Sequence, residues 1–186
     1  MFSRRVASGR VGEVSRPPVV FLVGFMGSGK TTVGHALAAR LGTLFVDLDE
    51  RIARHAGKSV RDIFDQDGEV SFRAHERAAL FALEPELASG AVIATGGGAC
   101  QDAAARAWMQ ARGTMVWLDV PLETIERRVP RDGSRPLFGD RLALDALYQE
   151  RRSGYASAGL RVDAGALAPD DVARLVARRL GTRERA

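Results

Sequence analysis

Three glycines and a lysine are packed into "GFMGSGKTT", 24–32, between the apolar run "VVFLV" and the helical pattern "TTVGHALAARLG". Gly24, four further residues, then Gly29, Lys30 and Thr31 match the phosphate-binding loop pattern in full. Glycines let successive backbone N–H groups turn toward an anion, and the N-terminus of the following helix adds its partial positive charge. In that chemistry Lys30 reaches the β and γ phosphates and the Thr31 hydroxyl ligates Mg2+. Gly27, Ser28, Gly29, Lys30, Thr31 and Thr32 are therefore the candidate nucleotide-binding residues. The loop specifies a nucleoside triphosphate and leaves the acceptor open.

Clues to the acceptor follow. "LFVDLDE" ends in Asp47 and Asp49, and ligands of open α/β folds bind at the carboxyl edge of the sheet. Residues two apart at an extended strand end face the same way, so one carboxylate can hold a metal's water shell and the other a substrate hydroxyl. The pair equally suits an N-cap and a solvated acid for a helix starting near Glu50. In "GEVSFRAHERAAL", Arg73 and Glu76 lie three apart on one helical face. Alone they read as a surface ion pair worth about 0.2–0.5 kcal/mol, with Phe72 in the core or a pocket wall. "VIATGGGAC" sets Gly96, Gly97 and Gly98 after an apolar run, which brings bare backbone to a ligand or closes a tight turn. His35, His55 and His75 lack metal-ligand spacing, and Cys100 reads as a small buried hydrophobe.

These residues need a frame. Apolar, β-favouring runs at 19–23, 44–46, 91–94, 114–118 and 160–162 alternate with helical patterns at 31–41, 68–89, 102–112, 122–128, 142–155 and 170–180. That alternation predicts α/β with a parallel sheet. Asp170 and Gly181 mark the ends of a capped, amphipathic last helix. "RVPRDGSRPLFGD", 128–140, breaks the periodicity with prolines, glycines and arginines and predicts a mobile surface loop.

The chain of 186 residues suits one domain. Its 27 Lys and Arg against 23 Asp and Glu give a net charge of +4, dispersed rather than clustered. Such a balance fits a small anionic substrate at least as well as nucleic acid. The longest apolar runs fall far short of the ~20 residues that cross a bilayer. The single cysteine excludes an internal disulfide and suits the cytoplasm. Residues 1–18, with four arginines and one acid, read as a flexible extension or a transit peptide, leaving 19–186 as the folded domain.

Taken together, "GFMGSGKTT", "DLD" at 47–49, "FRAHE" at 72–76, "TGGG" at 95–98 and "RPL" at 135–137 resemble one family, shikimate kinase, of the nucleoside-monophosphate-kinase-like P-loop proteins. The match runs over about 19–180. The resemblance implies a five-stranded parallel sheet of order 2-3-1-4-5 flanked by helices, with a mobile lid at about 128–140 and a shikimate-binding subregion after strand two. It implies Mg2+-dependent transfer of the ATP γ-phosphate to the shikimate 3-hydroxyl, on the way to chorismate and aromatic amino acids, by a monomer needing neither nucleic acid nor membrane. By resemblance, Asp47 helps hold the metal through water and Asp49 is the substrate-hydroxyl partner and base. Arg73 grips the shikimate carboxylate, with Gly97 lending an N–H. Phe64 and Phe72 are pocket walls, and Glu76 orients the arginines. Arg135 folds over the phosphates and Arg128 lies against adenine. The second carboxylate-gripping arginine falls in "RRSGY", where Ser153 and Gly154 replace the family's usual Pro and Leu. Spacing to Tyr155 favours Arg151 over Arg152. The alternatives are another small-molecule kinase of the group, such as a gluconate kinase, and a non-enzymatic nucleotide-gated binding protein.

Overall fold

A computed structural model describes residues 17–129 and 140–181. At its centre is β1, Val19–Val23, whose residues from Val20 onward are fully buried. A strand covered on both faces has no use for alternation, which is why "VVFLV" is continuously apolar. Four more parallel strands flank it: β2 (Leu44–Asp47), β3 (Ala91–Ala94), β4 (Thr114–Asp119) and β5 (Leu160–Asp163), in the order β2-β3-β1-β4-β5. The register pairs Leu22 with Ala94 and Val116, and Asp47 with Ala94. The carboxyl ends of the strands therefore share one edge, and "DLD", "TGGG" and the glycine loop all leave the sheet there.

Among the described residues eight helices lie between and after the strands: α1 (Lys30–Leu41), α2 (Leu48–Ala56), α3 (Val60–Phe81), α4 (Glu84–Leu87), α5 (Ala103–Arg112), α6 (Leu122–Arg128), α7 (Arg141–Tyr155) and α8 (Pro169–Arg179). A 3-10 turn at Ala99–Gln101 precedes α5. Asp102 and Asp140 cap α5 and α7, each accepting two backbone N–H bonds. None of the described helices is long and apolar enough to cross a membrane. Ahead of β1, the Pro18 carbonyl accepts from Ala91 N at 3.1 Å. Residues 1–16 of the anticipated extension, and 130–139 of the anticipated lid, lie outside the described residues.

All five strands stand where the periodicity places them. The helical reading of 68–89 is corrected at both ends. α3 begins at Val60, behind a capping box between Ser59 and Asp62, and its pattern is masked by the polar run "DQDGE". It stops at Phe81, and α4 is a separate turn. The helix α2, which periodicity did not assign, is capped by Asp47 and buries Leu48 and Ile52. The last helix is not capped by a side chain: Ala168 is the N-cap and Asp170 lies in the first turn.

Gly68 breaks α3 with φ 82° and ψ 170°, a region that only glycine occupies without strain. The break separates the half of α3 carrying Phe64 from the half carrying Arg73 and Glu76. No neighbouring atom stands in the way of a side chain there, so any penalty is purely torsional. Gly68→Ala is expected to lower unfolding stability by about 1–3 kcal/mol, and Gln66→Ala, two residues away, by far less. Equal denaturation midpoints for Gly68→Ala and the parent would contradict this.

Candidate functional site

Where β1 hands over to α1, Gly24, Gly27 and Gly29 have φ of 148°, 77° and 91°. A side chain at Gly24 would also meet the Leu118 carbonyl, 2.8 Å from its Cβ position. α1 starts directly after left-handed Gly29 with no side-chain cap, so its first amides face the loop's concavity, as an anion requires. The Lys30 ammonium donates to the carbonyls of Gly24 and Phe25 at 2.9 and 3.0 Å, which keeps it over the loop. Ser28 Oγ is buried beneath the loop with no partner among the described residues. Thr32 is exposed in the first turn of α1.

Thr31 Oγ1 donates to Asp47 Oδ2 at 2.7 Å. The other oxygen, Asp47 Oδ1, caps α2 by accepting from the N–H groups of Asp49 and Glu50 at 3.0 and 3.3 Å. Asp47 is thus both an N-cap and the phosphate loop's neighbour, one role per oxygen. Two adjacent hard oxygens suit Mg2+, which takes few protein ligands and keeps water and phosphate for the rest.

A second cluster forms around the glycine triplet. Asp49, in the first turn of α2, and Glu76, from α3, both approach Gly96: a Cβ there would collide with Glu76 Oε1 and lie 3.2 Å from Asp49 Oδ1. A Cβ at Gly98 would strike the Arg73 guanidinium, and one at Gly97 would lie 3.3 Å from Arg151 Nη1 and 3.3 Å from Met26 N of the phosphate loop. The triplet is therefore more than a tight turn: each glycine admits a different charged side chain to the backbone. Arg73 and Glu76 are not a surface pair either. Glu76 is 4% exposed and accepts from Arg73 Nη1 at 2.7 Å, while Glu69 holds the far side of the guanidinium at 2.9 Å. Burial, aided by the nearby Asp49 charge and opposed by Arg73 and Arg151, raises the Glu76 carboxyl above its ordinary value.

Of the two arginines in "RRSGY", Arg151 is buried beside the triplet, with its guanidinium 5.7 Å from the Phe25 ring centroid. Arg152 points away and is engaged by Asp119 and Tyr148. Gly154 has a reason of its own: a Cβ would run into the Gln101 side chain and the Cys100 carbonyl. Gln101 Nε2 in turn donates to the Arg151 carbonyl at 3.1 Å. The Tyr155 hydroxyl donates to the Gly97 carbonyl. Tyr155 was only a spacing marker in the sequence, although its i,i+4 relation to Arg151 puts both on one helical face.

Phe72 is buried and stacks with half-exposed Phe64, centroids 4.4 Å apart, while the Arg73 guanidinium covers the Phe72 ring. A cavity of about 300 Å3 opens beside this cluster, bordered by Arg73, Glu76 and Gly98. At the other flank, Arg128 Nη2 donates to the carbonyls of Ala164 and Gly165 at 3.2 and 2.8 Å, joining the end of α6 to the loop after β5. Arg135 lies outside the described residues.

Comparison with known proteins places this geometry in context. The family model for shikimate kinase matches residues 26–180. A shikimate kinase of Persephonella marina is 41% identical over 152 residues, covering 81% of this chain and 91% of the relative. The solved structure of shikimate kinase from Acinetobacter baumannii in complex with shikimate superposes with a TM-score of 0.81 at 37% identity, over 88% of this chain and 93% of that one. A gluconokinase from Sinorhizobium meliloti shares the fold alone, at 19% identity and a TM-score of 0.54 over 89% of this chain and 97% of that one.

Cys100, at the end of this glycine turn, is 1% exposed, and burial pushes its thiol up to about 12. At pH 8 it is therefore almost wholly protonated and shielded, and thiolate is the reactive form. The folded protein is expected to resist iodoacetamide at pH 8 and to take up one equivalent only after unfolding in guanidinium. Rapid stoichiometric labelling of the folded chain would show the thiol to be accessible.

Proposed function

The chain belongs to the shikimate kinase family, and from that premise we propose that it transfers the ATP γ-phosphoryl group to the 3-hydroxyl of shikimate, giving 3-phosphoshikimate and ADP. The observation that carries the reading is Gly97, where the space a side chain would fill is bordered by both Arg151 Nη1 and Met26 N of the phosphate loop, each 3.3 Å from the Cβ position. An acceptor held by the arginines is thereby set against the nucleotide's tail.

Shikimate has a carboxylate at one end of its ring and hydroxyls at the other. Arg73 and Arg151 take the carboxylate through paired N–H donors, a fit that ammonium groups lack, and the Gly97 N–H adds a third donor. Asp49 accepts from the hydroxyl that attacks. Phosphoryl transfer passes through a loose transition state, so orienting that hydroxyl matters as much as removing its proton. Phe64 and Phe72 wall the pocket, and Glu76 holds Arg73 in place.

On the nucleotide side, Gly27, Ser28, Gly29, Lys30, Thr31 and Thr32 cradle the phosphates and Arg128 lies against the adenine. Arg135 is assigned to the phosphates by resemblance, with closure of the 128–140 lid excluding water. Thr31 and, through water, Asp47 fit Mg2+, which supplies charge neutralisation at the transferring group. The protein is proposed to act as a cytoplasmic monomer, with residues 1–18 as an extension to a single domain spanning 19–186.

A coupled assay of ADP release, with shikimate, gluconate or no acceptor in parallel, tests the function. Only shikimate should stimulate turnover, and equal ADP release in all three arms would refute the assignment. In the same assay Arg73→Ala is expected to raise the KM for shikimate by about 100-fold and to leave the KM for ATP within about twofold. Equal loss toward both substrates would remove Arg73 from the carboxylate.

Glu76 gives a pH dependence. Only its ionised form balances Arg73 and Arg151, and its pKa lies above the ordinary 4.5. On acidification it therefore takes up its proton before an ordinary carboxyl does. The KM for shikimate should start to rise above pH 4.5 as pH falls, with the KM for ATP flat, and Glu76→Gln should abolish that acid limb. An unchanged limb in Glu76→Gln would assign it to another group.

A further inference from the structure

The two adjacent arginines of α7 have different surroundings, Arg151 beside the glycine triplet and Arg152 at the end of β4. Arg152 Nη1 donates both to Asp119 Oδ1 at 3.0 Å and to the Tyr148 hydroxyl at 2.8 Å. The Tyr148 hydroxyl in turn donates to the Val120 carbonyl at 3.0 Å. Asp119, at the carboxyl end of β4, is 9% exposed, and its Oδ2 also accepts from Arg161 Nε of β5 at 2.9 Å. The guanidinium groups of Arg152 and Arg161 each lie 5.0 Å from the Trp117 ring centroid. Arg152 therefore ties the last turns of α7 to the rigid edge of the sheet at fixed length.

What that tie holds is visible where the same helix meets the phosphate loop. The Tyr148 ring meets the Phe25 ring edge-on, centroids 5.3 Å apart, and Phe25 is the phosphate-loop residue beneath the Arg151 guanidinium. Rotation of α7 about its axis would carry Arg151 away from Gly97 and at the same time withdraw Tyr148 from Phe25. Side chains on consecutive helical positions point about 100° apart, so anchoring Arg152 outward sets the direction in which Arg151 projects. An arginine that must meet a carboxylate bidentately tolerates only a small angular error.

We infer that Arg152, with Asp119 and Tyr148, is a positioning group for the acceptor: it fixes the rotation of α7 and thereby aims Arg151 at the substrate carboxylate. Arg152 touches no substrate. Arg161 provides the internal control, because it shares Asp119 and Trp117 with Arg152 but belongs to β5 and, among the described residues, makes no side-chain hydrogen bond to α7.

The inference rests on the shikimate kinase reading, which the parent enzyme's acceptor dependence tests separately; the variants below are compared only with an active parent. Arg152→Met keeps an apolar stem on Trp117 and removes every donor. It is expected to raise the KM for shikimate about tenfold, with kcat and the KM for ATP within about twofold. Arg152→Lys retains one charged donor and should recover part of that loss, which also covers the case in which Arg152→Met folds poorly. Arg161→Met should leave the KM for shikimate at the parent value. An unchanged shikimate KM in both Arg152 variants would overturn the inference. So would a matching rise in the KM for ATP, or an Arg161→Met defect equal to that of Arg152→Met.

Discussion

Two guanidinium groups must be kept near one small patch of backbone, and the buried carboxylate of Glu76 is what makes that tolerable. Arg73 and Arg151 both reach the glycine triplet, and like charges held together in a half-dry cleft repel. Glu76 donates no hydrogen bond in its ionised form and accepts one from Arg73, and its charge acts on both arginines. An unpaired buried carboxylate is costly, so the ion and its partners stand or fall together. The glycines follow from the same constraint, since any side chain at Gly96 or Gly98 would displace the carboxylate or the guanidinium.

The phosphate loop depends on this cluster through packing. Gly97 lies against Met26, Phe25 lies under Arg151, and Thr95 at the end of β3 donates its hydroxyl to the Leu22 carbonyl of β1 at 3.0 Å. β1 and β3 are neighbours in the sheet, so the loop leaving one and the triplet leaving the other meet without any long excursion of chain. The order β2-β3-β1 then brings Asp47 and Asp49 alongside. Parallel strands deliver all these groups to one edge because each crossover returns the chain to the far edge before the next strand starts.

Legibility in the sequence divides along the same line. Strands buried on both faces advertise themselves as unbroken apolar runs, and "VVFLV" and "AVIA" needed nothing more. The phosphate loop was readable because its backbone conformation demands glycine at fixed intervals. The first half of α3 was not, since its exposed "DQDGE" face and the break at Gly68 erase the period. Asp47 carried two meanings in one letter, cap or neighbour of the phosphate loop, and only the separate partners of Oδ1 and Oδ2 reveal that it caps α2 with one oxygen and takes the Thr31 hydroxyl with the other. Arg73 and Glu76 had the spacing of a trivial surface pair; that their pair is buried depends on α3 packing against the triplet, a contact with no local signature. The Asp119, Tyr148 and Arg152 network joins β4 to α7 and was invisible for the same reason.

Ser153 and Gly154 show how a local departure from a pattern can be absorbed by tertiary structure. Proline and leucine at those positions would shape the end of α7 from within, by restricting the backbone and by filling a pocket. Here the space a larger residue would need at 154 is taken by Gln101, whose amide also holds the Arg151 carbonyl, and the helix is gripped from both flanks. Tyr155 fastens one side to Gly97 and Arg152 fastens the other to Asp119. A helix end pinned on two faces is restrained against rotation, so contacts from β4 and the triplet bear on the direction of Arg151 along with the residues that follow it in the chain. The direction of Arg151 is thus a property of the sheet edge as a whole as much as of the residues beside it in the chain.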